Sequence, residues 1–115
     1  MNSIDEMPIM RQYKALKREA PAGSILLLSM GDFYEAFGED AVILAPRFDT
    51  PLSMRGGVPM TGCHRLSLDT RMHSRFAGGL VFAIADVVEG RHSHGGLLRR
   101  EIVRIVNGGE SEVSK

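Results

Sequence analysis

Glycine and proline residues divide this chain into short segments, and this division constrains its fold more than any other feature of the sequence. There are 13 glycines and 5 prolines among 115 residues. Because both residue types interrupt regular secondary structure, we expect several short helices and strands and no long one. A chain of this length forms one domain, and its 43% of apolar residues is sufficient for a hydrophobic core.

Three segments have the apolar spacing of amphipathic helices. The first begins at Pro8, which suits a first helical turn. The second is predicted to begin at Asp32, because Asp32 and Glu35 form a capping-box pattern, and the third follows Ser67 as a cap. The predicted ends are Pro21, Pro46 and Gly78-Gly79. The side chains expected to face the core are Ile9, Tyr13, Leu16, Tyr34, Phe37, Ala41, Leu44, Leu68, Met72 and Phe76.

Five short segments are predicted to be strands, namely residues 25–28, 48–52, 58–61, 80–88 and 101–106. Residues 53–57 are expected to be the loop of a hairpin between the second and third of these strands. The order of the elements predicts a single α/β domain in which helices pack on a mixed β-sheet. Its core is expected to cover about residues 7–109, with residues 1–6 and 110–115 frayed.

The charge and cysteine content exclude several classes of protein. The chain has 14 basic and 14 acidic residues, so a polycationic segment that coats DNA non-specifically is excluded, although a local basic patch is not. Cys63 is the only cysteine, which excludes an intramolecular disulfide framework. Together with a polar N terminus that does not resemble a secretory signal, this predicts a cytoplasmic location. No apolar run is long enough to span a membrane.

The most informative segment is residues 31–37, which read GDFYEAF. This string resembles the G-D-F-Y-E-x-F motif of the N-terminal mismatch-recognition domain of the MutS family of DNA mismatch-repair proteins. Further matches follow in chain order. PIMRQY at residues 8–13 is similar to P-M-M-x-Q-Y, PMTG at 59–62 resembles P-M-A-G, and VRIV at 103–106 matches V-R-I-V. The resemblance therefore covers nearly the whole chain.

The resemblance implies a specific role for two residues. In the family, the phenylalanine of the F-x-E motif stacks on a mispaired or unpaired base from the minor groove, and the glutamate hydrogen-bonds that base. Carried over to this sequence, Phe33 is the wedge and Glu35 is the base contact. An apolar wedge must unstack a base step, which costs about a few kcal/mol, and this step is easier where a base is already poorly held. Selectivity would then come from DNA deformability and not from base sequence.

The residues alone also allow a structural role for both side chains. Phe33 lies four residues before Phe37, a spacing at which two rings pack on one helix face, and Glu35 completes a capping box with Asp32. In the family a basic residue usually stands where this chain has Ser29, so one expected phosphate contact is missing. The candidate phosphate contacts are Arg55, Lys14 and Arg18, with Arg65, Arg71 and Arg75 as further options.

Other clusters of polar residues are weaker candidates. Cys63, His64 and His73 do not have the spacing of a four-ligand zinc site, and neither do His92 and His94 in the loop predicted at residues 90–96. The acidic residues of a hypothetical Mg²⁺-dependent nuclease are Asp32, Glu35, Glu39 and Asp40. A capping box explains Asp32 and Glu35. Glu39 and Asp40 are expected on the solvated side of the second helix.

We therefore expect neither a metal nor a cofactor, and no enzymatic activity. No G-x-x-x-x-G-K-[ST] phosphate loop occurs in the sequence, which excludes ATP hydrolysis by this chain on motif grounds. The expected partner is double-stranded DNA with mispaired or unpaired bases. The alternative is a stand-alone protein-interaction module, with little or no DNA binding, that contacts full-length MutS-type proteins or other repair proteins.

Overall fold

Three helices and six strands make up the described part of the chain, which is residues 7–92 and 97–110 of a computed structural model, without the side chains of residues 89–92. The helices are α1 (Pro8–Glu19), α2 (Glu39–Phe48) and α3 (Leu68–Met72). The strands are β1 (Ile25–Met30), β2 (Phe33–Phe37), β3 (Ser53–Arg55), β4 (Val58–His64), β5 (Val81–His92) and β6 (Leu98–Asn107). Short 3₁₀ turns at Arg65–Ser67 and Arg75–Ala77 flank α3.

The strands form one sheet in the order β3-β4-β2-β1-β5-β6. β1 and β5 are parallel, and every other neighbouring pair is antiparallel. Helix α1 connects to β1 at the centre of the sheet, which is the position expected for the most apolar strand. Leu26, Leu27 and Leu28 of this strand have no exposed surface. The predicted α/β class and mixed sheet are confirmed.

The two faces of the sheet carry separate parts of the core. On one face, α1 packs its predicted stripe of Ile9, Tyr13 and Leu16 against Leu26 and Leu28, together with Phe37. We call this the α1 face. The opposite face is covered by α2 and α3, and its buried side chains are Ile25, Leu27, Ala36, Leu44, Phe48, Cys63, Leu68, Met72, Ala77, Phe82 and Ile84. Because β1 is covered on both faces, its continuous apolar run is explained.

The prediction that a helix begins at Asp32 is wrong. Residues 33–37 form the strand β2, and the helix that follows begins at Glu39 after Gly38. The strand forms because Gly31 and Asp32 reverse the chain in two residues, so that β2 pairs with β1 on one side and with β4 on the other. The Asp32–Glu35 capping box therefore does not exist, and neither does the expected helix N-terminus beside Phe33.

Three smaller expectations are also corrected. Pro46 does not end the second helix but lies in its last turn. Residues 48–52 are not a strand, and the hairpin is formed by β3 and β4 around Gly56-Gly57. The third helix has only five residues, Ser67 makes no capping hydrogen bond to it, and Phe76 is 61% exposed.

Asp40 is buried and not on the solvated side of α2. Its Oδ2 lies 2.8 Å from Tyr13 Oη and accepts a hydrogen bond from Leu26 N at 3.1 Å, while Lys17 Nζ pairs with its Oδ1 at 2.9 Å. These contacts come from α1 and β1, so one carboxylate ties α2 to two other elements. Lys17 is half-buried by this pairing.

Some expectations fall outside the described residues. These are the fraying of residues 1–6 and 111–115 and the position of His94 in the loop predicted at residues 90–96. The part of that loop that is described, up to His92, continues β5. Among the described residues, no helix is both long and apolar enough to cross a membrane.

Candidate nucleic-acid interface

Phe33 stands at the end of the hairpin that β1 and β2 form. Its backbone pairs with Met30, and the two residues between them, Gly31 and Asp32, make the turn. Gly31 has a φ of 61°, a conformation that a residue without a β carbon adopts readily. The Phe33 side chain is 46% exposed, and its ring meets the His64 ring edge-on with centroids 5.6 Å apart. The hairpin therefore presents a large apolar ring to solvent, and His64 of β4 supports the ring on one side.

Glu35 lies two residues after Phe33 on the same strand, so both side chains point to the α1 face. Its neighbours across the strands are Leu28 and Gly62. A β carbon at Gly62 would lie 2.4 Å from the Tyr34 carbonyl oxygen and 2.9 Å from Glu35 Cγ. The position opposite Glu35 is therefore restricted to glycine, and the surface beside the carboxyl group carries no side chain there.

The Glu35 carboxyl group is incompletely satisfied. Its Oε1 atom is buried and has no hydrogen-bond partner among the described residues. Burial raises the pKa of Glu35, and the positive charge of Arg55 partly offsets this rise. The neutral form, which can donate a hydrogen bond, is therefore more accessible in Glu35 than in an ordinary surface glutamate.

Two arginines lie near these side chains. Arg55 is exposed at the end of β3 and acts electrostatically on Glu35. Arg65 follows β4, is exposed, and donates its backbone N–H to the Asp32 carbonyl oxygen at 2.7 Å. The structure thus brings two of the candidate phosphate contacts to the hairpin. Arg55 lies beside Glu35, and Arg65 lies beside the turn.

The remaining basic candidates lie elsewhere. Lys14 and Arg18 are exposed on α1, and Lys14 lines a groove with Phe37 and Val58. Arg71 is half-buried, with its guanidinium donating to Phe48 O and Ser67 Oγ. Arg75 stacks on Phe76, 5.1 Å from the ring centroid, in the turn that precedes the start of β5. Arg71 and Arg75 therefore have structural partners away from the hairpin.

Tyr34 was predicted to face the core, and it does pack against the core on the side of α2, but it is only half-buried and its hydroxyl group is hydrogen-bonded. Its Oη donates to Asp86 Oδ1 at 2.7 Å. Burial, followed by this hydrogen bond and the charge of Asp86, raises the pKa of Tyr34 to about 12. Asp86 was not among the predicted partners, although a charged residue in the middle of the apolar run at residues 80–88 is a sign of a buried contact.

The other clusters do not form sites in the part of the chain that is described. No three histidine, cysteine, aspartate or glutamate residues come together there in a way that could hold a metal ion. Cys63 is buried whereas His64 is exposed, because neighbouring residues of β4 point to opposite faces. Asp40 is engaged with Tyr13 and Lys17, so it does not join Asp32 and Glu35.

The fold agrees with the α/β class that the sequence predicts, and comparison with known proteins gives the family. Residues 7–114 match the family model described as MutS domain I, and the chain belongs to this family. It is similar to the DNA mismatch repair protein MutS of Desulfitobacterium hafniense, with 38% identity over 107 residues. The MutS proteins of Protochlamydia amoebophila (38% over 111 residues) and Pseudothermotoga lettingae (40% over 102 residues) are further relatives.

These relatives are much longer than this chain. The three alignments cover 89%, 94% and 89% of this chain but only 12%, 13% and 12% of the relatives. The chain therefore spans about an eighth of the length of the curated relatives that it matches.

Proposed function

We propose that this chain recognises mispaired or unpaired bases in duplex DNA, within DNA mismatch repair, by inserting Phe33 into the base stack from the minor groove. The observation that carries the proposal is the exposed ring at the end of the hairpin, with the unsatisfied Glu35 carboxyl group on the same face. A role in DNA mismatch repair is supported by membership of the MutS domain I family and by relatives named as DNA mismatch repair proteins.

The ring acts by testing how firmly a base pair is stacked. Insertion of an apolar side chain costs about a few kcal/mol of stacking per base step and kinks the duplex. A mispaired base has already lost part of this stabilisation, so the ring enters there more readily than in perfect duplex. Phe33 is suited to this task because it is exposed before binding, and its insertion breaks no core packing.

Glu35 supplies a hydrogen bond after the ring has entered. The minor groove presents mainly acceptors, the adenine N3 and thymine O2 atoms, and a carboxylate offers them nothing. A protonated carboxyl group can donate to them. Burial raises the pKa of Glu35, which lowers the cost of protonating the carboxyl group for this bond, whereas a charged carboxylate would be repelled by phosphates.

Basic residues near the hairpin hold the DNA without reading its sequence. Arg55 and Arg65 are the candidates beside the inserting ring, and Lys14 and Arg18 extend this set along α1. Contacts of this kind give affinity that depends on salt concentration and is equal for perfect and mispaired duplex. In this proposal discrimination therefore comes from Phe33 and Glu35.

The chain acts in this proposal as a non-catalytic recognition module. Its sequence contains no phosphate-loop motif for ATP hydrolysis, and full-length MutS-type proteins are the proposed protein partners. A cytoplasmic location is proposed because a single, unpaired cysteine fits a reducing compartment.

The test compares binding of two DNA duplexes by fluorescence anisotropy at low salt. One duplex carries a single unpaired thymine and the other is its fully paired parent. We expect the wild-type chain to prefer the bulged duplex and Phe33→Ala to lose this preference while it retains affinity for the paired duplex. Phe76→Ala is the matched control, because Phe76 is also exposed but lies in the turn before β5.

Equal binding of both duplexes by the wild-type chain would contradict the proposal. The protein-interaction alternative would then be the better account of this fold. A preference that survives in Phe33→Ala would also contradict it, because discrimination would come from another residue.

A further inference from the structure

The last residues of β1 extend beyond the segment over which β1 pairs with β5. The parallel pairing of β1 with β5 runs from Ile25–Phe82 to Leu28–Ala85. Ser29, Met30 and the turn that carries Phe33 follow after this pairing ends. On its other side the hairpin stays paired with β4 as far as Phe33–His64. Beyond Leu28 the β1 side of the hairpin is therefore held to β5 and β6 by side-chain contacts, and these help to fix the position of the ring.

On the α1 face, an arginine from β6 holds the hairpin. Arg100 Nε donates to the Ser29 carbonyl oxygen at 2.8 Å, and its Nη1 donates to Gln12 Oε1 at 2.9 Å. Gln12 in turn donates to the Leu98 carbonyl oxygen at 2.9 Å. Arg100 is only 9% exposed, and it takes part in none of the ion pairs found among the described residues. The side chain of Arg100, which is largely buried, thus hydrogen-bonds the hairpin backbone at the Ser29–Tyr34 pair, next to the pair that closes the turn.

On the opposite face, a residue from β5 holds the same hairpin. Tyr34 Oη donates to Asp86 Oδ1 at 2.7 Å, although β1 lies between their two strands. The Val87 backbone N–H also donates to Ser29 Oγ at 3.2 Å. The two faces are therefore held by different residues, but both sets of contacts connect the hairpin to β5 and β6.

We propose that the Arg100–Ser29 and Tyr34–Asp86 contacts form a two-sided clamp that fixes the β1–β2 hairpin, so that Phe33 is positioned rigidly for insertion into DNA. This inference rests on the proposed function. A ring that must separate two stacked bases needs firm support, because a loose hairpin would move aside and leave the duplex straight. Tyr34, Asp86 and Arg100 are thus positioning residues, which act through Phe33 without touching the base.

The clamp is tested first in the free 115-residue chain, by amide hydrogen exchange of residues 28–35. Tyr34→Phe removes the hydrogen bond to Asp86, and Arg100→Gln removes the guanidinium contacts with Ser29 and Gln12. Each change is expected to accelerate exchange there about two- to tenfold, with little change in the centre of β5. Arg99→Gln is the matched control, because Arg99 is the exposed neighbour and undergoes the same change of charge. Asp86→Asn keeps an acceptor for Tyr34 and is expected to leave exchange near the wild-type rate.

The second readout is the preference for bulged over paired duplex, measured as the ratio of the two Kd values. Tyr34→Phe and Arg100→Gln should reduce this ratio about two- to tenfold while the Kd for paired duplex stays within about twofold. Arg99→Gln and Asp86→Asn should retain the wild-type ratio. A merely structural role would instead weaken binding to both duplexes together.

The outcomes separate the clamp from the proposed function. Unchanged hairpin exchange in both variants overturns the clamp, and so does faster exchange with an unchanged Kd ratio. Uniformly faster exchange across β1 and β5 also overturns it, because the contacts would then support the whole sheet. If the wild-type chain shows no preference for the bulged duplex, the proposed function fails, and the exchange data still decide whether the hairpin is clamped. If Tyr34→Phe does not fold, Arg100→Gln decides.

Discussion

Gly62 lies directly opposite Glu35 in the β2–β4 ladder, where a β carbon would stand 2.9 Å from Glu35 Cγ and 2.4 Å from the Tyr34 carbonyl oxygen. Both distances are far below normal van der Waals contact, and the second involves backbone that cannot move without shifting β2. The missing side chain at this position thus allows Glu35 to lie across β4.

Gly62→Ala is therefore expected to destabilise the fold by about 1–3 kcal/mol, because one added methyl group overpacks the ladder. Urea unfolding measures this loss. Gly78→Ala is the control, since a β carbon there would meet only the Arg75 carbonyl oxygen, at 3.2 Å. Equal losses in the two variants would contradict a specific clash at Glu35.

Glu35 should lower stability at neutral pH. Burial raises its pKa in the folded chain above the ordinary value of 4.5, so the folded state holds the proton more tightly than the unfolded state. Proton binding by Glu35 therefore favours the folded state at low pH. This stabilisation is fully present below pH 4.5 and is lost as the pH rises through the raised folded pKa. Glu35→Gln should therefore raise the free energy of unfolding at pH 7 by about 0.5 kcal/mol, a small gain because the side chain is partly solvated.

Urea unfolding at pH 4 and pH 7 checks this expectation for Glu35. The gain should be absent at pH 4, where the wild-type carboxyl group is largely protonated. A gain of equal size at both pH values would show that charge burial at Glu35 is not its cause.

Asp40 should contribute far more to stability than its neighbour Glu39. Asp40→Ala leaves the Leu26 N–H and Lys17 without their partner, and removal of one member of a buried charged network costs about 3 kcal/mol. Glu39→Ala, at an exposed position of the same helical turn, should cost less than about 0.5 kcal/mol. Thermal and urea unfolding compare the two variants, and similar stabilities would contradict the structural role of Asp40.

The contrast between the first helix and β2 shows which parts of the fold could be predicted from the sequence. The 3.6-residue spacing of Ile9, Tyr13 and Leu16 is a local signal, and α1 follows it. Residues 33–37 also carry a helix-like signal, yet β4 pairs with them from positions between Phe33–His64 and Phe37–Met60, far along the chain. Because this pairing is non-local, a local pattern could not reveal it.

The same limit applies to the candidate site. The family motif pointed to Phe33 and Glu35 as candidates, and their placement two residues apart on one strand puts both on one face. The Asp40, Asp86 and Arg100 contacts could not be predicted, because their partners come from other elements. A buried charge looks like a surface charge in the sequence until the residues that pair with it are known.

The basic residues beside the hairpin should control affinity but not discrimination. Arg55→Gln and Arg65→Gln are each expected to weaken binding to paired and mispaired duplex equally and to reduce the slope of log Kd against log salt by about 1. Arg75→Gln should change neither quantity, since Arg75 stacks on Phe76. Titrations at several salt concentrations measure both quantities, and a selective loss for mispaired duplex would contradict this division of roles.

The most direct test of the central claim is the shape of bound DNA, measured by energy transfer between dyes at the two ends of a duplex with one G·T mispair. At protein concentrations that saturate binding, the wild-type chain and Phe76→Ala should both kink the duplex and raise the transfer efficiency. Phe33→Ala should bind and leave the duplex straight. An equal kink with Phe33→Ala, or a straight duplex saturated with the wild-type chain, would contradict insertion of Phe33.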